Sequence, residues 1–166
     1  MNTGARDEHS PFLKIDGIQG ESKDANHKGW ITLSSFNWGA SQPGNMQTGG
    51  GGGAGRVTWR DLTVNAPVDR ATPAVTRYLA AGRHITKVEL SACKAGDPQM
   101  EYMRITLEEV LLTNISYSGS TGGEQINMAY HFQAARVRQQ YWEQTERGGK
   151  GAETASGWNL KENKEL

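Results

Sequence analysis

The sequence predicts a mainly β chain: a small β-barrel or sandwich with one short α-helix on its outside. Three observations carry this expectation. Several stretches alternate apolar and polar residues with the period of two that belongs to strands. Corners rich in Gly, Asp, Asn and Ser separate them. One stretch alone spaces its apolar residues at i, i+3 and i+4, as a helix does.

Taken in order, Phe12-Leu13-Lys14-Ile15 reads as a first strand, closed by the turn Asp16-Gly17. Gly20 to Gly29 is polar and reads as a loop. Trp30 to Trp38 is rich in aromatic and β-branched residues and reads as a second strand. Val57 to Val64 is a third, with Val57 and Trp59 on one parity and Leu62 and Val64 on the other, the phase change a β-bulge produces. Thr72-Pro73 supplies an N-cap candidate and a first-turn proline. Val75, Tyr78 and Leu79 then share a face, and Gly82 stops the helix. Such a short helix must pack on the sheet to persist.

Ile85 to Cys93 returns to strand, and Ala95-Gly96-Asp97-Pro98 is a turn candidate. Met103, Ile105, Leu107, Glu109 and Leu111 alternate as a half-buried strand that ends near Ile115 and Tyr117. Gly119 to Gly123 forms a second turn. Ile126, Met128, Tyr130 and Phe132 alternate, and the phase shifts after Ala134-Ala135 to Val137, Gln139 and Tyr141. Gly157-Trp158-Asn159-Leu160 reads as a short closing strand. The chain of 166 residues is read as a single domain over 1–166. It carries a polar N-terminal arm (1–10), an extended Gly-rich loop (41–56) and a flexible polar segment (143–156).

Eighteen Lys and Arg balance 18 Asp and Glu. Zero net charge argues against a protein that neutralises nucleic-acid phosphates, which needs a basic excess. The N-terminus lacks the apolar core of a signal peptide, and no stretch approaches the apolar length of a membrane span. Synthesis in the cytoplasm and no membrane insertion are therefore expected. Cys93 is the only cysteine, which excludes an intrachain disulfide.

The stretch Gly49 to Gly55 reads Gly-Gly-Gly-Gly-Gly-Ala-Gly. Ordering these seven residues costs roughly 7–14 kcal/mol of backbone entropy, so an ordered state needs something that grips the backbone. A phosphate, a core strand or another subunit are the three possibilities. The phosphate reading requires a helix after the glycines. A strand follows instead, and Arg56-Val57 stands where a phosphate loop needs Lys-Ser/Thr. Nothing in the run is built to bury itself, which leaves a neighbouring subunit.

Other chemistry is sparse. His9, His27, His84 and His131 show no i, i+4 pair and no Cys/His cluster, so the usual zinc sites are not expected. Each is read as a satisfied or surface histidine. Glu108 and Glu109 are adjacent on a strand and are expected to face opposite ways, with Glu109 partly buried in a pair or a subunit contact. No nucleophile signature appears, so no catalytic residue, cofactor site or metal site is assigned. An enzyme with a dispersed site remains one alternative. A carbohydrate- or ligand-binding β-barrel module is another, using Trp30, Trp38, Trp59, Trp142 and Trp158 as stacking surfaces.

Several segments, in order, resemble one family. Lys14-Ile15-Asp16-Gly17-Ile18-Gln19-Gly20-Glu21-Ser22, Phe36-Asn37-Trp38-Gly39 with Ser41-Gln42 and the glycine run, and Thr72-Pro73 are three of them. Glu101-Tyr102-Met103-Arg104-Ile105-Thr106-Leu107-Glu108-Glu109-Val110, Gly122-Gly123-Glu124 and Gly157-Trp158-Asn159 complete the set. Together they resemble the Hcp (haemolysin-coregulated protein) family of bacterial type VI secretion from about Phe12 to Leu160. The resemblance implies a small closed β-barrel of two sheets with one short flanking α-helix, assembled as a hexameric ring. It implies a structural tube subunit whose rings stack into the secreted inner tube and carry or chaperone effectors. Its implied partners are itself (a homohexamer in stacked rings), the type VI spike protein, the sheath and effector proteins, with no nucleic acid, no cofactor and no catalysis. Delivery to the extracellular space or a target cell, without a signal peptide, is implied as well.

The loop 41–56 is then the candidate assembly site. Gly49, Gly50, Gly51, Gly52, Gly53 and Gly55 allow close backbone approach, while Ser41, Gln42, Asn45, Met46 and Gln47 supply specific contacts. Arg56 is expected to pin the end of the loop by a salt bridge.

Overall fold

The structure, a computed structural model, describes residues 10–44, 46, 55–95 and 99–166. The strands among them are β1 (Phe12–Ile15), β2 (Ile31–Thr32), β3 (Ser35–Asn37), β4 (Ala40–Ser41), β5 (Thr58–Trp59) and β6 (Leu62–Pro67). Helix α1 (Thr72–Ala80) follows. Then come β7 (Ile85–Lys94), β8 (Met100–Ser118), β9 (Asn127–Gln144), β10 (Lys150–Asn159) and β11 (Lys164–Glu165). The mainly β character and the single helix agree with the sequence among these residues.

Nine strands form one antiparallel sheet, in the order β11-β10-β9-β8-β7-β1-β2. It branches at β9, whose first half pairs with β6 (Leu62↔Phe132) and whose second half pairs with β10 (Trp158↔Val137). β3 pairs β6. The expected closed barrel is not formed, because the ladder stops at β2 on one side and at β3 on the other. The reason lies in residues 30–38, which the alternation reads as one strand. Leu33 N–H donates to the Pro11 carbonyl, while Ser34 N–H donates to that of Asn65. The segment changes neighbours between those two residues, giving two short strands in place of one.

A second expected strand is also divided. After β5 the Arg60 N–H turns to the Gly39 carbonyl (2.9 Å), and β6 starts at Leu62. The register between the two segments slips by one residue, from Asn37↔Thr63 to Ala40↔Trp59, which is the β-bulge that the phase change predicts. The segment 143–156, expected to be loose, is regular: β9 runs to Gln144 and β10 begins at Lys150. It escapes the period-two test because most of β10 is exposed. The turn Ala95-Gly96-Asp97-Pro98 falls largely outside the described residues, as do 1–9 of the N-terminal arm.

In α1, Val75 and Tyr78 are buried as expected, and Gly82 (φ +60°) ends the helix in the left-handed conformation. Thr72 is not the cap. Ala71 holds that position, and the turn before it is tied by Asp69, whose Oδ1 accepts from Ala71 N–H (2.8 Å). Thr72 Oγ1 accepts from Asp69 N–H (2.9 Å) in return.

The core is made by β1, β6, β7, β8 and β9 with α1, and Phe12, Leu90, Val110 and Phe132 are essentially inaccessible. Phe132 lies opposite both Leu62 and Leu112 and meets Tyr130 edge-on (centroids 5.6 Å). Phe132→Ala is expected to lower unfolding free energy in urea by about 3–5 kcal/mol, because both flanking strands are held by its ring.

Candidate functional site

Two features stand out: the stem of the Gly-rich loop and a buried polar centre between β7 and β8. In the stem, β4 and β5 form their own two-stranded sheet, with Ala40 opposite Trp59 and Ser41 opposite Thr58. Below them Trp38 stacks on Trp59, centroids 5.2 Å apart and 28° from parallel. Both indoles pack against the core together with Trp158 and Leu160. Ser41 and Gln42 are exposed, and Met46 is 92% exposed, which leaves a large apolar side chain without cover in the isolated subunit. Gly55 sits where a Cβ would run into the Pro43 ring at 2.8 Å, so only glycine lets the two ends of the loop approach. Asn45, Gln47 and Gly49 to Gly53 lie outside the described residues.

Arg56, at the end of the loop, makes no salt bridge among the described residues and bonds main-chain carbonyls instead. Its Nη2 donates to the main-chain carbonyls of Leu160 (2.6 Å) and Lys161 (3.3 Å), in the turn after β10. A guanidinium fork suits such carbonyls, which a helix-free turn leaves open. Lys161 in turn reaches Glu109 (3.3 Å), and Glu109 reaches Arg136 (3.4 Å). Glu108 lies 3.6 Å from that same Arg136 and 3.2 Å from Arg138. The two glutamates thus converge on one arginine instead of facing opposite ways. The cause is local: Glu109 has φ +53°, which interrupts the alternation at that residue. The Lys161 hydrogen bond and the Arg136 charge hold the Glu109 carboxyl below the usual carboxylate range.

The polar centre was not assembled from the sequence. His27, 3% exposed, lies flat on Phe12 (4.4 Å, 8°) and edge-on to Trp30 (4.9 Å). Its Nδ1 meets Asp24 Oδ2 at 2.7 Å and its Nε2 meets Ser91 Oγ at 2.9 Å. Ser91 Oγ donates to Glu101 Oε2 (2.5 Å), which also accepts from Arg104 Nε (2.8 Å), while Lys150 Nζ reaches Glu101 Oε1 (3.1 Å). Burial pushes the Glu101 carboxyl up, but the hydrogen bonds from Ser91, Arg104 and Lys150 outweigh it and hold it below the usual range.

Acid, imidazole and hydroxyl in this order have the outline of a hydrolytic triad. The outline does not carry the chemistry. Ser91 is fully buried, and its proton is directed at Glu101 instead of the imidazole. Burial also pushes the neighbouring Cys93 thiol up, away from the reactive thiolate. Among the described residues no group of three His, Cys, Asp or Glu is placed to hold a metal ion. His84 is exposed, and His131 Nδ1 lies 3.4 Å from Thr63 Oγ1. The tryptophans form no exposed row: Trp142 is buried under Lys150, Trp30 lies beneath Arg104, and the other three surround the loop stem. The signals that could have located this centre were the Asp24/His27 spacing in a polar loop and the polar Ser91 within an apolar strand.

Fold and site thus describe a mainly β protein with a hairpin stem and a braced interior. Comparison with known proteins gives it a family. Residues 12–141 match the family described as "Type VI secretion system effector, Hcp". The chain is 38% identical over 154 residues to protein Hcp1 of Pseudomonas aeruginosa, covering 92% of this chain and 95% of that one. Its fold superposes on the crystal structure of Hcp1 from Salmonella typhimurium with a TM-score of 0.80, at 33% identity over 95% of this chain and 99% of that one. A solved "type six secretion system protein" gives a TM-score of 0.89 at 27% identity, covering 95% of this chain and 99% of that one. The chain belongs to the Hcp family. No helix among the described residues is long and apolar enough to cross a membrane.

The polar centre gives a pH dependence. A carboxyl held low in the fold contributes stability that is fully present above its unfolded value, here near 4.5, and lost as pH falls below it. The urea midpoint of the chain is expected to fall more steeply between about pH 5 and pH 3 than that of Glu101→Gln. Parallel curves would contradict the assignment.

Proposed function

We infer that this chain is a tube subunit of a type VI secretion system, exported by that system and carrying or protecting effector proteins. Membership of the Hcp family over residues 12–141 is the observation that carries the reading. The subunit is proposed to act as one domain over 1–166, to close into a hexameric ring, and to stack ring on ring. Its partners are further copies of itself, the spike, the sheath and effector cargo. It works without catalysis or a cofactor, and it is delivered outside the cell or into a target cell.

The loop 41–56 is proposed as the joint between subunits or between rings. Its base is prepared for this: β4 and β5 are paired, Trp38 and Trp59 are stacked, and Arg56 ties the returning strand to the turn at Leu160. A fixed stem reduces the number of residues that a partner must order, and each residue spared saves about 1–2 kcal/mol. Exposed Met46 supplies an apolar contact for the neighbour. A ligand-binding module is not favoured, because the tryptophans are spent on internal packing.

In native mass measurement and negative-stain imaging, a ring of six times the 18.1 kDa chain mass is expected. A strict monomer at high concentration would refute the reading. Replacing Gly49 to Gly53 by a Ser/Asn linker of equal length is expected to abolish ring stacking while single rings persist. Unchanged stacking and export would remove the loop from the joint.

A further inference from the structure

The described stem of the Gly-rich loop, residues 40–44 and 55–59, is hydrogen-bonded to the rest of the chain through one side chain. Among the described residues, its only bonds outside its own hairpin are those of Arg56 to the Leu160 and Lys161 carbonyls (2.6 and 3.3 Å). Packing reinforces that link weakly. One cavity of about 130 Å³ is lined by Trp38, Trp59 and Leu160, and another of about 180 Å³ by the same two indoles and Trp158. Trp59 Nε1 and Trp158 Nε1, both at this seam, are buried without an acceptor among the described residues. Interiors are normally close-packed, with their buried donors paired. The seam is neither, so the Arg56 bonds hold it more than its filling does.

The receiving side is the turn between β10 and β11, whose shape is set locally. Asn159 pairs with Lys164 and closes a loop of Leu160 to Asn163. Asn163 takes the left-handed conformation (φ +53°), which asparagine tolerates better than most residues. Glu162 N–H donates to Asn159 Oδ1 (2.9 Å), and Leu160 N–H donates to the Ala135 carbonyl of β9 (2.8 Å). Beyond the turn the hairpin is lightly held. β11 has two residues, and 161–166 are exposed. Leu166 N–H reaches the Gly157 carbonyl at 3.2 Å, and Lys161 reaches Glu109 at 3.3 Å.

We propose that Arg56 and this turn form a latch: the hairpin 159–166 fixes the stem of the loop, and release of the hairpin frees the stem. The two acceptors of Arg56 are consecutive carbonyls of one turn, so peeling β11 from β10 removes both together. The stem is then left on an indole stack flanked by cavities. Coupling of this kind is reciprocal, so Arg56 steadies the hairpin as much as the hairpin steadies the stem. Short ladders with exposed backbone are the ones that open first, and the β4–β5 and β10–β11 ladders each have two residue pairs. What the latch serves rests on the reading of 41–56 as the joint: a stem held at one angle offers the loop to a neighbour in one geometry.

The test is amide exchange by NMR in the full chain. Arg60 N–H, bonded to the Gly39 carbonyl, reports on the stem, and Leu166 N–H, bonded to that of Gly157, reports on the hairpin. In Arg56→Ala both are expected to exchange about threefold faster or more, by similar factors, while the amides of β7 keep their rates. Acceleration at the stem alone, at the hairpin alone or at neither would overturn the latch. Asn163→Val loosens the turn without touching the stem, because a β-branched residue resists the left-handed conformation. Where it removes the protection of Leu166, the stem is expected to exchange as fast as in Arg56→Ala, and the double variant no faster. A stem that stays protected there would also sink the idea. Stacking of the Arg56→Ala rings is followed by electron microscopy and is expected to weaken. Coupled exchange with unchanged stacking upholds the latch and counts against the joint, whereas uncoupled exchange overturns the latch whatever the stacking shows.

Discussion

Between Glu108 and Arg136 the two longest strands stay in register while their core-facing residues change parity. In β8 the buried set passes from Ile105 and Leu107 to Val110 and Leu112. In β9 it passes from Met128, Tyr130 and Phe132 to Ala135 and Val137. Leu107 stays opposite Val137 and Leu112 opposite Phe132, so the two strands change face together. One alone would have put an apolar row into solvent. This paired switch lets one half of β9 accept β6 and the other accept β10, and it places the hairpin stem beside the turn at Leu160. The positive φ of Glu109 is the local cost, and Arg136 and Lys161 hold its side chain.

Much of this was legible and some was not, for physical reasons. Period-two alternation records which face of a strand is buried, so Phe12–Ile15, Ile85–Lys94 and the long strands were visible. Alternation is blind to the neighbour across the ladder. Residues 30–38 therefore read as one strand although Leu33 and Ser34 bond to different partners. It is also blind where neither face is covered, which is why β10 was read as irregular. For the loop 41–56, the sequence points to a salt bridge at Arg56, but the acceptors it finds have no such signal. They are main-chain carbonyls 104 and 105 residues away, and a backbone acceptor has no signature in composition.

The polar centre was hidden by the same kind of distance. His27 and Ser91 are 64 residues apart in sequence, and each alone is an ordinary residue for its surroundings. Only the antiparallel placement of β1 and β7, with Phe12 opposite Ser91, brings the loop histidine over the strand. Glu101 was visible as part of a motif that resembles the family, but its role as the acceptor for Ser91, Arg104 and Lys150 needed the structure.

That centre also bears on why a structural subunit keeps charges inside. Buried ionic groups are a poor source of net stability, since desolvation offsets most of their attraction. Breaking one partner out of such a set is nevertheless costly, so the set penalises every arrangement except the one that satisfies it. Here the members come from four separate places: the 20–30 loop, β7, β8 and β10. A slip of β8 against β7, or a lift of the loop, leaves at least one carboxylate or the imidazole without its partner. Apolar packing at the same position would tolerate such a slip far better. A protein of a secretion tube has more use for that selectivity than for the stability an apolar filling would add. The triad-like outline follows from this demand for position, with the hydroxyl proton committed to Glu101 and the ring sealed beneath Phe12.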